Sequence, residues 1–324
     1  MEETNVIQKL TKDLKEASKI LSTQEARYLV DTYYMMQEIR KRSDNQILAL
    51  KASGEPNGVV GWLSDNTTLL ENQVKRALDV FTNANPVGCW AREILGIGPV
   101  ISAGLIAHID ISKCTTVGSL WRFAGLDPSR EWMGDEKAQA LWKECDGNLD
   151  KIEVSLHIPN GKIVSIANML REKANKVSEK PFTKAELISA IKVRPYNDRL
   201  KTLCWKIGES FVKVSGNEKS LYGKLYRDRK AHEEIKNEAG DYKDQAAVGA
   251  ARVGRTTDAY KSYSQGKLSP GHINSRAKRY AVKIFLSHLF EEMYLNHYGK
   301  EYGAGPYAIS ILGHVHKIDR SMAA

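Results

Sequence analysis

The stretch Leu95-Gly96-Ile97-Gly98-Pro99-Val100 decides the fold that this sequence predicts. Two glycines two residues apart permit a tight turn and leave no side chain in the way of a close ligand. Pro99 suits the first position of a helix, because its missing N–H costs nothing there. We therefore predict two helices joined by a hairpin, with backbone N–H groups and a positive helix end directed at one phosphate. The predicted contact comprises Gly96, Ile97, Gly98, Pro99 and Val100.

Two other interpretations of this motif are open to the residues. A Gly-x-Gly turn before a proline is common helix punctuation, so the motif alone also fits a purely structural turn. A dinucleotide-binding loop fits poorly, because no β-branched strand precedes Gly96 and the third glycine of that fingerprint falls at Ser102.

A second turn, Ala124-Gly125-Leu126-Asp127-Pro128, follows a short predicted helix from Val117. The run from Leu95 to Pro128 resembles the carboxy-terminal domain of the transposases of the IS110/IS116/IS902 families. Those domains carry a Gly-Ile-Gly-Pro hairpin, an alanine-rich helix and an Ala-Gly-Leu-x-Pro turn. The segment from Arg194 to Lys201 looks like the Gly-Asn-x-x-Leu-Arg helix of that family. The resemblance implies a helix-hairpin-helix DNA-binding domain, in which Gly125 and Leu126 hold a second phosphate.

The sequence departs from that family where catalysis would occur. Residues 1–88 show no strands alternating with helices, which the RNase-H-like catalytic domain of those transposases requires. The family also places a nucleophilic serine beside a glycine after the second turn, whereas Ser129 here precedes Arg130. Asp-Pro-Ser is ordinary turn sequence. We therefore predict a non-enzymatic protein with no cofactor, and an active transposase or recombinase that uses Ser129 or another serine stays the alternative.

Composition favours a cytoplasmic chain. The 324 residues are 42% hydrophobic, without an uninterrupted apolar run of about 18 residues that would predict a membrane span. The amino terminus lacks the basic and apolar regions of a secretory signal. The four cysteines form no Cys-x-x-Cys pair, and His314 and His316 have no acidic or cysteine partner at short spacing. We predict reduced thiols and no metal.

Positive charge is concentrated in the second half of the chain. The net charge is +9, yet residues 1–90 carry a net charge of −1, and the segment from Lys219 to Lys283 has 15 basic against 7 acidic residues. Such asymmetry is typical of a nucleic-acid surface. The cations predicted to contact phosphates are Arg227, Arg229, Lys230, Arg252, Arg255, Arg276, Lys278 and Arg279. Tyrosines lie between them and are candidates for stacking on unpaired bases or for a half-buried helix face: Tyr222, Tyr226, Tyr242, Tyr260, Tyr263 and Tyr280.

The predicted fold class is mainly α, in three parts. Residues 1–88 form a helical region with a fresh helix start at Thr23, and it either braces the hairpin domain or mediates self-association into a homo-oligomer. Residues 89–215 form the helix-hairpin-helix domain, with a mainly helical insertion at 131–193. Residues 216–324 form a basic helical region, in which 239–271 has few large apolar residues and is expected to be a flexible segment.

These observations together predict a largely sequence-independent DNA-binding protein, and branched or recombination-intermediate DNA is the target that the resemblance implies. Backbone and cationic contacts to phosphates position a nucleic acid without reading its bases. RNA stays open as a partner, because the hairpin contacts only phosphate. The rival outside nucleic-acid binding is a phage- or mobile-element-encoded inhibitor that docks on a host protein.

Overall fold

The fold is mainly α-helical, which confirms the predicted class. The computed structural model describes residues 9–127, 134–146, 155–157, 163–165, 185, 188–189, 194–303 and 318. In these ranges the α-helices are α1 (Lys12–Ser18), α2 (Thr23–Ser53), α3 (Gly58–Asn83), α4 (Pro86–Glu93), α5 (Pro99–His108), α6 (Val117–Phe123), α7 (Asp135–Cys145), α8 (Asp198–Lys213), α9 (Leu221–Ala239), α10 (Lys243–Arg252), α11 (Asp258–Ser264) and α12 (Pro270–Tyr298). None of them is long and apolar enough to cross a bilayer.

A long helical hairpin formed by α2 and α3 leads into the rest of the protein. The start of α2 is set by a capping box, in which the Ser22 hydroxyl accepts from the Glu25 N–H and the Glu25 carboxylate accepts from the Ser22 N–H. Gly54, at φ 72°, ends the helix in the left-handed conformation. The helix start predicted at Thr23 is therefore confirmed. The hairpin packs on α5 where α2 begins and α3 ends. There, the side chains of Ala26, Val30, Leu78 and Phe81 contact Val100, Ala103 and Ala107.

The main core joins α4, α5, α6 and α8 to α9 and α12. The ring of Phe211 stacks on Tyr222 with centroids 4.9 Å apart, and Phe285 meets both rings edge-on. These three side chains come from α8, α9 and α12, so the residues on either side of position 215 share one hydrophobic core. Aromatic burial of this kind is a large part of what holds the three helices together.

The segment 239–271 is largely helical, whereas the sequence predicted a flexible segment. It contains α10 and α11, which close over a small core of Tyr242, Ala246, Leu268 and Ile273. Asn237 anchors the returning chain, since its side chain donates to the Leu268 carbonyl (3.1 Å) and accepts from the Leu268 N–H (2.7 Å). The expectation of a flexible arm is wrong because a few well-placed contacts offset the ordering entropy that its composition suggested.

The predicted insertion at 131–193 is described only in part. Its helix over Asp135–Cys145 is present as α7. The helix predicted over 162–176 is wrong at its start, because Ser155–His157 (β1) and Ile163–Ser165 (β2) pair as antiparallel strands, with Leu156 opposite Val164. Neighbouring β-branched residues at 163 and 164 favour a strand. Several predictions fall on residues outside the described ranges. They concern Ser129, the residues 166–184, the segment Tyr307 to Leu312 and the histidines at 314 and 316.

Candidate nucleic-acid interface

The glycine bend between α4 and α5 is anchored on α8. Gly96 has φ 98°, and its carbonyl accepts a 2.6 Å hydrogen bond from the Ser210 hydroxyl. A Cβ placed on Gly96 would lie 3.1 Å from that hydroxyl oxygen and 3.3 Å from a methyl of Val214. Both the left-handed conformation and the close approach therefore require glycine at this position.

Among the residues that follow Gly96 in the predicted contact, only Gly98 is not buried. The side chains of Ile97, Pro99 and Val100 are buried, whereas a Cβ on Gly98 would meet nothing within 4 Å. No side chain caps the start of α5, and Pro99 has no N–H to satisfy. The surface that this hairpin offers to an anion is thus the backbone at Gly98 and the first turn of α5.

Gly98→Glu is expected to weaken DNA binding at least about tenfold if this surface holds a phosphate, because the carboxylate blocks the site and repels the anion. Gly98→Ala is the matched control, since the open space admits a methyl group at a φ of −93° without strain. Fluorescence anisotropy with a labelled oligonucleotide measures both affinities. Equal affinities for Gly98→Glu and Gly98→Ala would remove the hairpin from the binding surface.

In the second turn, the backbone amides of Gly125 and Leu126 are already hydrogen-bonded and are not free for a phosphate. The N–H of Gly125 donates to Arg122 O (3.0 Å) and that of Leu126 to Trp121 O (2.9 Å), which completes the end of α6. The backbone grip predicted for Gly125 and Leu126 is therefore not available. Gly125 instead makes room for side chains: a Cβ there would come within 2.9 Å of both Lys201 and Tyr196.

A groove of about 540 Å³ opens beside this turn, between α8 and α12. Three of the described residues that line it are cationic, and none of those described residues is acidic. The lining residues are Gly125, Leu126, Lys201, Cys204, Trp205, Gly208, Tyr263, Gly271, His272, Ser275, Lys278, Arg279 and Val282. The groove therefore unites four predicted contact residues, Gly125, Leu126, Lys278 and Arg279, that lie far apart in the sequence.

Close packing of α8 on α12 forms the floor of the groove. A Cβ on Gly208 would lie 3.3 Å from Cβ of Lys278 and 3.5 Å from a methyl of Val282, so glycine lets the helices approach. Lys278 of α12 forms an ion pair with Glu209, the residue after Gly208 on α8. Lys201 lies over the Tyr196 ring, 3.9 Å from its centroid, which holds its ammonium at the groove edge.

Arg279 lines the groove close to a second arginine, Arg276. No carboxylate within the described part of the chain forms an ion pair with it. Burial, followed by repulsion from Arg276, lowers the pKa of the Arg279 guanidinium. The pKa of His272 is lowered as well, by burial and by the charges of Arg276 and Arg279. A bound anion would offset the repulsion between these charges.

Trp205 provides an aromatic face at the same groove. The residue is 60% exposed, although α8 buries Leu203, Ile207 and Phe211 on its other side. Sequence analysis missed both Trp205 and Lys201 as site residues. The available signal was periodicity, because Trp205 falls about 200° around the helix from Leu203 and so cannot share its buried face.

The remaining predicted cations divide into paired and unpaired groups. Glu233 binds Arg229 (2.5 Å) and Arg276 (2.6 Å), and Lys230 pairs with Glu234 (3.6 Å). Arg227, Arg252 and Arg255 are exposed, and no ion pair to them occurs among the described residues. Arg252 borders a second cavity of about 500 Å³, which shares Tyr263 and His272 with the groove.

Three of the predicted stacking tyrosines are core residues. Tyr222, Tyr226 and Tyr242 are buried, and their hydroxyls are bonded to His288, Asn274 and Glu233. The stacking prediction is wrong for these three rings, because tertiary packing covers them. Tyr260, Tyr263 and Tyr280 keep partial exposure.

The hairpin and the groove lie on opposite sides of α8. Gly96 packs on Ser210, whereas Gly125 packs on Lys201, nine residues earlier. Nine residues of α-helix turn the direction of a side chain by about 180° and advance about 13 Å along the axis. One short segment of a nucleic-acid strand therefore does not contact both the hairpin and the groove. The groove, which has cationic and aromatic lining residues, is the stronger candidate site.

No protein-family model, no curated protein and no solved structure matches this chain. The resemblance to the carboxy-terminal domain of the IS110/IS116/IS902 transposases thus rests on the residues between Leu95 and Lys201 alone.

Proposed function

We propose that this chain is a non-enzymatic DNA-binding protein that holds a single strand in the α8–α12 groove, largely independently of base sequence. The observation that carries the proposal is the lining of that groove: the cations Lys201, Lys278 and Arg279, of which only Lys278 is paired with a carboxylate among the described residues (Glu209), lie beside the exposed ring of Trp205. Cationic side chains bind phosphates, and an aromatic face stacks on any base.

The dimensions favour an unpaired strand. A groove of about 540 Å³ is the size of a small-ligand site and accommodates a short piece of one strand, not a duplex. Stacking on Trp205 also requires a base that is free of its partner. Such strands occur at junctions, forks and other branched DNA, which agrees with the target that the family resemblance implies.

The contacts offered by the groove predict weak base discrimination. Lysine and arginine in this arrangement meet phosphate oxygens, which carry no sequence information. Since no helix of the described chain has to enter a major groove for these contacts, shape decides which DNA binds. RNA with an unpaired strand is expected to compete.

A salt titration tests the proposal. Labelled single-stranded, duplex and four-way-junction DNA are titrated with the protein at rising KCl concentration, with anisotropy as the readout. Three phosphate contacts on a single strand predict a slope of log K against log salt of about −2. We expect the single strand and the junction to bind more tightly than the duplex.

Trp205→Ala is expected to weaken single-strand binding about 5- to 150-fold, which corresponds to the loss of one base–aromatic stack. Tyr28→Ala on α2 is the matched control, because Tyr28 is also an exposed aromatic residue (70%) and lies outside the groove. Equal losses in the two variants, or no retention of any DNA at low salt, would refute the proposal and favour docking on a host protein.

A further inference from the structure

The two helices of the α2–α3 hairpin face each other through polar side chains over the half that is farthest from the core. Arg40 of α2 donates to the buried carboxylate of Glu71 on α3 (2.8 Å), and Ser64 of α3 donates to Asp44 of α2 (2.6 Å). Glu71, Ser64, Ser43 and Thr67 are buried, whereas the large apolar residues of this half are not. The apolar side of α3 therefore points away from α2.

An exposed apolar stripe runs along that outer side of α3. Val59 is 81% exposed and Trp62 is 65% exposed, and the stripe continues through Leu63, Leu69 and Leu70. An exposed apolar patch that contains a tryptophan is typical of a surface that another protein covers.

Four of the five residues of the stripe are placed symmetrically about Asn66, whereas the counterpart of Val59 is Gln73, whose side chain accepts from the Leu10 N–H. Trp62 and Leu70 lie four residues before and after Asn66, and Leu63 and Leu69 lie three residues before and after it. Positions i, i±3 and i±4 are the ones through which two helices contact each other when they cross at residue i. A surface with this spacing is complementary to itself.

We propose that a second copy of this chain covers the stripe, with the two α3 helices packed antiparallel around a two-fold axis at Asn66. Trp62 of each copy then lies against Leu70 of the other, and Leu63 lies against Leu69. A two-fold interface uses the same patch on both subunits, which is what the four symmetrically placed residues supply.

The shape of the hairpin favours the antiparallel arrangement. The end of α3 at Leu78 and Phe81 is packed in the core, and the other end is a free tip at Gly54. Antiparallel packing places the two bodies at opposite ends, whereas parallel packing would bring them into collision.

The interface is small. A helix of 26 residues is about 39 Å long, and a single crossing of two such helices buries an area near the lower limit of about 1,000 Å² for specific association. The dimer is thus expected to dissociate on dilution, in the micromolar range.

Sedimentation equilibrium on the full chain over a hundredfold range of concentration tests the inference. We expect the mass to rise from 36.3 kDa towards twice that value. The double variant Trp62→Lys with Leu69→Lys should weaken association about 100-fold or more, because the dimer loses the interface tryptophan of each copy. Ile235→Lys is the control, since Ile235 of α9 is 70% exposed and lies outside the stripe. A monomer throughout the range, or equal association in the control and in the double variant, would overturn the inference.

A disulfide tests the axis itself. Asn66→Cys, in a chain that carries Cys89→Ser and Cys145→Ser, should form a covalent dimer under mild oxidation, because residues on the axis meet their own copies. Asp65→Cys in the same background is the control, since its direction on α3 differs by 100°. Dimer yields that are equal for the two cysteines would place the axis elsewhere and refute the arrangement. Neither experiment involves DNA, so its outcome is independent of the proposed binding function.

Discussion

Replacing Glu233 by glutamine is expected to lower the free energy of unfolding by about 3–5 kcal/mol. The carboxylate is 1% exposed and both of its oxygens are bonded. One accepts from Arg229 of α9 (2.5 Å), and the other accepts from the Tyr242 hydroxyl (2.5 Å) and from Arg276 of α12 (2.6 Å). Glutamine keeps the shape but leaves two arginines without a counter-charge in a largely buried place. Urea denaturation followed by circular dichroism measures the change.

Glu234→Gln is the matched control at the next position. Its side chain is 55% exposed and its pair with Lys230 spans 3.6 Å, so its removal should cost less than about 1 kcal/mol. Hydrogen exchange should show where the Glu233 variant loosens: we expect faster exchange in α10 and α11, which Tyr242 ties to the carboxylate. A destabilisation equal to that of Glu234→Gln would contradict the structural role of Glu233.

The contribution of Glu233 should also depend on pH. Burial opposes its charge, but the hydrogen bonds from Tyr242 and Arg276 and the charges of Arg229 and Arg276 outweigh burial and lower its pKa from 4.5 to about 2. Since the folded state holds the proton less tightly than the unfolded state, this stability is complete above pH 4.5 and is lost as the pH falls towards 2. The difference between the wild type and Glu233→Gln should therefore shrink over that window.

Reversing two charges of the groove is expected to produce the largest loss of binding. Lys201→Glu with Arg279→Glu should weaken single-strand binding about 100-fold, because two phosphate contacts are lost and two repulsions replace them. The slope of log K against log salt should become shallower by about 1.4, since each contact with a single strand contributes about 0.7. Anisotropy at several KCl concentrations gives both quantities.

Lys12→Glu with Lys51→Glu makes the same change of net charge on the N-terminal helices. Both lysines are exposed and lie outside the groove. This control therefore measures how the net charge of the protein alone affects its electrostatic attraction of DNA. Only a small, uniform loss is expected from it. If the control loses as much affinity and as much salt dependence as the groove variant, binding follows overall charge and the groove is not the site.

The helices were largely readable from the sequence because their signals are local. Ser22 and Glu25 mark the start of α2 by a capping box, and Gly54 marks its end, without any contact from elsewhere. Asn197 caps α8 in the same local way, by accepting from the Leu200 N–H. The hairpin glycine Gly96 was also recognisable, since few other residues adopt its φ of 98°.

The site was readable only in part, because it depends on residues far apart in the chain. Charge counts selected Lys278 and Arg279 correctly as groove residues but could not separate them from Arg229 and Arg276, which neutralise Glu233. The low apolar content of 239–271 predicted flexibility, yet the contacts of Asn237 with Leu268 order that segment.

The sequence by itself determined the helical class, some of the helix ends and the surplus of positive charge in the second half, because caps, periodicity and composition are properties of neighbouring residues. The tertiary structure alone decided which cations face solvent without a carboxylate, which tyrosines are buried and where α8 meets α12. Those properties depend on pairs such as Gly208 with Lys278, seventy positions apart, whose contact exists only after the chain has folded.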